Sequence, residues 1–129
     1  MLEDNPARMR TFRKIAVDTG MGMQHCDNVE TAKIVFNLVD PSVVFLDHDL
    51  GGEIYVDSDN DNTGYQFAKW LVENDKKIDQ RTIVIHSMNP VGAENIQNIL
   101  NSANIIPFTY FFSDQHVLYS NGIIKQTTP

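Results

Sequence analysis

Three apolar runs along the chain have the pattern of strands, and the first two are of the kind that is buried on both faces of a sheet, whereas the third contains Pro107, which must lie at its start or at a sheet edge. They cover Ser42 to Leu46, Thr82 to Ile85 and Ile105 to Phe112. Two shorter stretches, Met1-Leu2 and Met23 to Cys26, are candidates for further short strands. The hydrophobic pattern therefore offers up to five strand segments.

Four segments between these runs have apolar residues at helical spacing, and each begins with a helix-start signal. The signals are Asn5-Pro6, Asp27 with Glu30, Thr63, and Pro90. Strands that alternate with helices imply a parallel sheet covered by helices on both faces. The positions that we expect to face the core are Met9, Phe12, Ile15, Ala16, Ala32, Val35, Phe36, Val39, Tyr65, Phe67, Ala68, Leu71, Val72, Ile96, Ile99 and Leu100.

Composition and charge narrow the class of protein. The 129 residues are 42% hydrophobic and 21% charged, which fits one globular domain over residues 1–129. A net charge of −7 argues against a long nucleic acid as the main partner, although a cation or backbone N–H groups can still offset a small phosphate. No apolar run is long enough for a membrane span, no signal peptide is visible, and the single cysteine fits a reducing compartment, so we expect a cytoplasmic protein.

Polar residues follow three of the predicted strands at the point where each strand ends. Glu3-Asp4 follows Met1-Leu2, Asp47-His48-Asp49 follows the strand that ends at Leu46, and His86-Ser87 follows the strand that ends at Ile85. In an open parallel sheet, ligands bind at the carboxyl ends of the strands. We therefore expect these residues to form a functional cleft.

Glu3, Asp4, Asp47 and Asp49 are the candidate metal ligands, because four crowded carboxylates would repel each other without a cation. Their oxygens suit a divalent ion such as Mg²⁺ or Mn²⁺. In an extended strand Asp47 and Asp49 share a side and His48 lies opposite, whereas a chain that turns at Asp47 would bring all three to one cleft. Alternatively, Asp49 only caps the turn at Gly51-Gly52.

His48, His86 and Asp49 are the candidate catalytic residues. Two imidazoles at one cleft can exchange protons in phosphoester chemistry, or complete a transition-metal site with the carboxylates. The alternative for each histidine is a hydrogen bond to a backbone carbonyl. His25 and His116 have no acidic neighbours of this kind and are expected to be structural.

Ser87, Asn89 and Gly92 are the candidate phosphate-binding residues, since they surround the start of a predicted helix at Pro90. The alternative is an ordinary capped helix start. The acidic segment from Asp57 to Asp61 resembles the opening of an EF-hand loop but fails at later diagnostic positions, and we interpret it as an acidic mobile loop and a candidate lid over the cleft.

The acidic pair, the strand-end Asp47 and the hydroxyl of Ser87 resemble a response-regulator receiver domain, in which such acids hold Mg²⁺, the aspartate accepts phosphate and the hydroxyl contacts it. A narrower resemblance is to the cyclic-phosphate processing receiver domains of bacteria and phages, through Leu46 to Gly51, Thr63 to Leu71 and Ile85 to Asn95. Receivers carry a lysine after the fifth strand, and residues 106–110 contain none.

The resemblance implies an α/β fold: a three-layer, flavodoxin- or receiver-like parallel sheet flanked by helices. The Asn121-Gly122 turn signal predicts a C-terminal β-hairpin in place of the last helix. The function that we expect is metal-assisted binding and hydrolysis of a cyclic or terminal phosphate on a nucleotide or RNA end. The alternatives are a non-catalytic module that sequesters a nucleotide signal or docks on a partner protein, as in phage counter-defence, and a phosphoacceptor receiver that uses Asp47.

Overall fold

The computed structural model describes residues 1–20, 22–50, 56–87, 89–101 and 103–105. The predicted hairpin, the predicted strand beyond Ile105, the lysine-free segment 106–110, His116 and Gly51-Gly52 lie outside the described residues. The described elements are α1 (Pro6–Thr19), α2 (Val29–Val39), β1 (Val43–Leu46), α3 (Gly64–Asn74), a 3₁₀ turn (Ile78–Gln80), β2 (Thr82–Ile85), α4 (Pro90–Ile99) and β3 (Asn104–Ile105).

The strands form a parallel sheet in the order β1-β2-β3, and the chain start extends it on the β1 side. Leu2 forms parallel bridges with both Leu46 and Cys26. The order across the sheet is therefore Cys26, Leu2, β1, β2, β3, which is the 2-1-3-4-5 order of flavodoxin-like folds. The predicted α/β fold with a parallel sheet is confirmed, and its topological switch point lies between Leu2 and β1.

The two faces of the sheet are covered by different helices. Val44, Leu46, Ile83 and Ile85 belong to one continuous core with apolar residues of α2, α3 and α4. On the other face, Phe12 of α1 packs against the rings of Phe45 and His86, with centroids 5.2 and 5.1 Å away. Because strand residues alternate between faces, Asp47 and His86 end their strands on the α1 side.

Most of the predicted helix starts are confirmed by their caps. The Asn5 side chain accepts hydrogen bonds from Ala7 and Arg8 at the start of α1, and Thr63 accepts one from Gln66 at the start of α3. α4 begins at Pro90 as predicted, with Asn89 as its cap. These caps satisfy backbone N–H groups that the first turn of a helix leaves without partners.

Three details of the sequence interpretation are wrong. α2 is capped by Asn28 rather than Asp27, because the Asn28 side chain accepts the Thr31 N–H at 2.9 Å. Val39 and Val72 are 46% and 49% exposed, so neither belongs to the core. Met23 to Cys26 is not a strand, since only its last residue pairs with the sheet.

Within the described part of the chain, no helix has the length and apolar character that crossing a bilayer requires.

Candidate functional site

An acid–histidine cluster of Glu3, Asp47 and His86 lies at the carboxyl edge of the sheet, where the Leu2 segment, β1 and β2 end. One potential ligand atom from each residue lies within 4.8 Å of the others, and all three side chains are buried. The Nε2 atom of His86 is 3.3 Å from Oε1 of Glu3. The structure thus brings together three of the residues that the strand ends predicted.

Arg8 binds this cluster from the first turn of α1. Its Nε is 2.6 Å from Oε1 of Glu3, and its Nη2 is 3.4 Å from Oδ2 of Asp47. The sequence interpretation missed this residue. The available signal was the Asn5 cap, because a helix that begins three residues after Glu3 places its first turn over the strand ends.

Burial favours the neutral form of all three groups in the acid–histidine cluster. It raises the pKa of Glu3, and it raises the pKa of Asp47 to about 7. A hydrogen bond between the two carboxyl groups further raises the pKa of Asp47, while His86 and Arg8 oppose the rise. Burial also lowers the pKa of His86 to about 4, so its imidazole is neutral at pH 7.

The donor set of this cluster can hold a divalent metal ion. Among the described residues, neither ring nitrogen of His86 forms a hydrogen bond, although Nε2 lies 3.3 Å from Oε1 of Glu3, and a buried imidazole without hydrogen bonds fits a ligand role. Two carboxylates and one imidazole suit Mn²⁺ better than Mg²⁺, which prefers oxygen ligands.

Two of the predicted metal ligands are placed elsewhere. The Asp4 backbone N–H donates to Oε2 of Glu3 at 2.9 Å, but its side chain lies outside the group of three. Asp49 lies on the other side of the β1 end. Their metal roles stay predictions.

His25, expected to be structural, has its Nε2 2.6 Å from the Glu3 carbonyl oxygen.

A second group, the His48 cluster, consists of His48, Asp49, Ser58, Asn89 and Asn95. The Nδ1 atom of His48 is 2.8 Å from Oδ1 of Asp49, and its Nε2 is 2.8 Å from Oγ of Ser58. The Asn89 side chain donates to the same Asp49 oxygen at 3.1 Å. The Asn95 side chain donates to Oγ of Ser58 at 2.9 Å. Ser58 and Asn95 were missed, because neither stands at a strand end.

The backbone separates these two clusters just after β1. The His48 N–H donates to Oδ1 of Asp47 at 2.8 Å, and the His48 carbonyl accepts the Gly64 N–H at 3.0 Å. His48 therefore points to the α4 side, where its ring lies directly against Gly92. The strand ends do not converge on one point: Asp47 faces α1, whereas His48 and Asp49 face α4.

A polar cleft of about 600 Å³ opens beside the His48 cluster, between residues 56–59 and α4. Ser58, Asn89, Gly92 and Asn95 are among its lining residues. Asp57, Ser58 and Asp59 of the acidic loop line this cleft, and the lid role of the loop stays a prediction.

The predicted phosphate contacts are already engaged with each other. Asn89 receives the Gly92 N–H on its side chain at 3.0 Å and donates its own N–H to Oγ of Ser87 at 3.0 Å. A phosphate would have to replace the first of these bonds to reach the Gly92 N–H. The phosphate-binding role of these three residues stays a prediction.

Comparison with known proteins adds a family to this geometry. Residues 2–102 match the family described as the cyclic-phosphate processing receiver domain. No curated protein matches the chain significantly. The matched segment contains every described strand and helix up to α4, and both clusters. The chain therefore belongs to the cyclic-phosphate processing receiver domain family.

Proposed function

We propose that this protein binds a cyclic or terminal phosphate on a nucleotide or RNA end and hydrolyses it with the assistance of a divalent metal ion. One observation carries the proposal: His48, held by Asp49, lies beside a polar cleft, while the neighbouring Asp47 belongs to a cluster suited to a cation. The family name points to the same class of ligand.

Glu3, Asp47 and His86 would hold the cation, whose positive charge would offset the charge of a phosphoester. The sequence left two roles open for His86, proton transfer and metal binding. Its complete burial and the pKa near 4 support the ligand role, because a general acid must be protonated near the working pH.

His48 would exchange protons with the attacking and leaving oxygens, and Asp49 would orient its ring. Asn89 and Ser87 would donate hydrogen bonds to the phosphate oxygens. These groups are rigidly placed before any ligand arrives, since Asn89 contacts both Asp49 and Gly92. Such preorganisation reduces the cost of positioning a substrate.

A phosphoacceptor role for Asp47 is less compatible with the site. The acceptor carboxylate must be ionised and must reach a phosphorus atom. Asp47 is 1% exposed, its pKa is raised to about 7, and Arg8 lies 3.4 Å from it. The burial of Asp47 and its raised pKa oppose attack by this side chain, whereas the positive charge of Arg8 favours the ionised form.

The test is a hydrolysis assay with Mn²⁺ or Mg²⁺ and a panel of cyclic mononucleotides, cyclic dinucleotides and RNA with a 2′,3′-cyclic phosphate end. We expect a new phosphomonoester by mass spectrometry with at least one substrate. Asp47→Asn should lower the rate by about 100-fold or more, because it removes a metal ligand.

The matched control is Asp79→Asn, an exposed aspartate next to the amino end of β2. We expect its rate to stay within about twofold of wild type, as for surface substitutions in general. Tight binding without turnover would favour the sequestering module over the enzyme. The proposal would be removed if no substrate of the panel were turned over and none changed the melting temperature of the protein.

A further inference from the structure

Ser58, His48 and Asp49 form a continuous hydrogen-bonded chain from the cleft into the protein interior. The Ser58 Oγ is 2.8 Å from Nε2 of His48, and Nδ1 of the same ring is 2.8 Å from Oδ1 of Asp49. A nucleophile within 2.6–3.2 Å of a base that a third group orients is the arrangement by which hydroxyl nucleophiles are activated.

The hydrogen-bond partners of Asp49 determine which atom donates in each of the two hydrogen bonds that His48 forms with Asp49 and Ser58. Oδ1 of Asp49 accepts from the Val56 N–H at 3.0 Å and from the Asn89 amide at 3.1 Å, so Asp49 acts as a carboxylate acceptor. Nδ1 of His48 must then carry the ring proton, which leaves a lone pair on Nε2. The Ser58 hydroxyl therefore donates to His48.

Other contacts hold the Ser58 hydroxyl in this orientation. The Asn95 amide donates to Oγ of Ser58 at 2.9 Å, so the oxygen accepts one hydrogen bond and donates another. The Gln66 amide donates to the Ser58 carbonyl at 2.7 Å, which fixes the backbone. His48 is completely buried behind the serine, whereas Ser58 itself lines the cleft. The reactive oxygen is thus the member of the chain that a ligand in the cleft meets.

We propose that Ser58 is the nucleophile of a covalent phosphoryl transfer, a proposal that rests on the proposed function for its substrate class. Oγ of Ser58 attacks phosphorus, and the phosphorus–oxygen bond to the leaving sugar oxygen breaks. The hydroxyl proton passes to Nε2 of His48 and from there to the leaving oxygen. The product of this step is a phosphodiester on Ser58 if the substrate is a cyclic phosphate.

Water then attacks the same phosphorus atom and gives a proton to Nε2 of His48. The bond between phosphorus and Oγ breaks, and the serine recovers the proton from His48. The net reaction is a phosphoester plus water, which gives an alcohol and a phosphate, or one ring-opened phosphomonoester. Asp49 and Asn95 are positioning residues in this scheme, because they act through His48 and Ser58.

The probe for this inference is diisopropyl fluorophosphate, in which an activated serine displaces fluoride from phosphorus. The full chain is incubated with the probe in the presence of EDTA, and the product is examined by intact mass and peptide mapping. We expect a single adduct, located at Ser58. Ser58→Ala should abolish it, and Ser42→Ala, a change at an exposed serine, should retain it.

Asp49→Asn tests the orienting role, and we expect labelling at least about 10-fold slower, with Ser58 still the labelled residue. No adduct on wild-type protein, or an adduct spread evenly over several serines, would overturn the inference. If Ser58→Ala does not fold, the peptide map of the wild-type adduct still decides the question.

This experiment separates the inference from the proposed function, because the probe requires neither a metal ion nor a cyclic phosphate. A labelled Ser58 without hydrolysis of any member of the substrate panel would leave the nucleophile standing and remove the proposed function. Metal-dependent hydrolysis that persists in Ser58→Ala, with no labelling of wild type, would overturn the inference about Ser58 and leave the proposed function standing.

Discussion

Burial shifts the pKa values of Asp47 and His86 in opposite directions, because it drives each group to its neutral form. The pKa of Asp47 rises to about 7, and that of His86 falls to about 4. Asp47 therefore favours the folded state at low pH, and this stability is lost as the pH rises towards 7. His86 favours the folded state above its unfolded pKa near 6.5, and this stability is lost as the pH falls towards 4.

Asp47→Asn isolates the aspartate contribution, because His86 is present in both proteins. In EDTA, we expect the free energy of unfolding of wild type to fall relative to the variant by about 2 kcal/mol between pH 5 and pH 7, since one pKa unit corresponds to about 1.4 kcal/mol. Urea denaturation at several pH values measures this difference. The stability of Asp79→Asn should follow that of wild type at every pH, because both proteins keep Asp47. A parallel pH dependence of wild type and Asp47→Asn would contradict the raised pKa of Asp47.

The polar residues of the acid–histidine cluster could be predicted individually, since Glu3, Asp47 and His86 each follow a strand. The division of the strand-end residues between the two clusters could not be predicted. It depends on the chain leaving the strand direction after Asp47, which sends Asp49 to the His48 side. Arg8 and Ser58 come from a helix turn and a loop, where strand periodicity gives no information.

At the scale of elements, the end of β1 is held in place by two close backbone approaches. Gly64 at the start of α3 lies against the Asp47 carbonyl, and Gly92 in α4 lies against the His48 ring. A Cβ atom at either position would overlap those atoms. The two glycines therefore allow α3 and α4 to fix the direction in which His48 and Asp49 point.

Gly92→Ala should destabilise the protein even though alanine is the better helix former. The added methyl group must displace either the buried His48 ring or α4, and such overpacking costs about 1–3 kcal/mol. The change in free energy of unfolding by urea denaturation measures it. The control is Gly22→Ala, where a Cβ meets nothing within 4 Å. A stability gain in Gly92→Ala would mean that α4 does not pack closely on His48.

The helices and the strands β1 and β2 were predicted well because each has a cap or a sustained apolar pattern. α1, α3 and α4 begin where Asn5, Thr63 and Pro90 indicated. The strand segments at Leu2 and Cys26 are single bridging residues, and one residue has no periodicity to detect. Their place in the sheet is set by backbone hydrogen bonds between distant segments.

At the scale of the whole molecule, the acid–histidine cluster takes one residue from each of three adjacent strand positions. Glu3 follows the Leu2 segment, Asp47 follows β1, and His86 follows β2. A cation bound by all three would connect the ends of three neighbouring segments across the topological switch point. It would also offset part of the net charge of −7 near an anionic ligand.

Mn²⁺ should therefore slow hydrogen exchange most strongly at the carboxyl edge of the sheet. The relevant amides are those of Glu3, Asp47 and His86, which donate to Cys26, Leu2 and Leu46 at 2.9, 3.0 and 3.0 Å. At a metal concentration about 100 times the dissociation constant, local opening that releases the ion should become rarer by up to about 100-fold. Exchange measured by mass spectrometry on short peptides resolves this edge from the opposite one.

The Thr82 amide is the internal reference, because it donates to Ser42 at the amino edge of the same strand pair. Glu3→Gln should remove the added protection, whereas Glu73→Gln, a matched change at an exposed residue of α3, should keep it. Protection that is equal at both edges, or that survives in Glu3→Gln, would place the cation away from the acid–histidine cluster. Protection confined to the carboxyl edge would instead tie the predicted ligands to the strand order, since the 2-1-3-4-5 arrangement brings these three strand ends side by side.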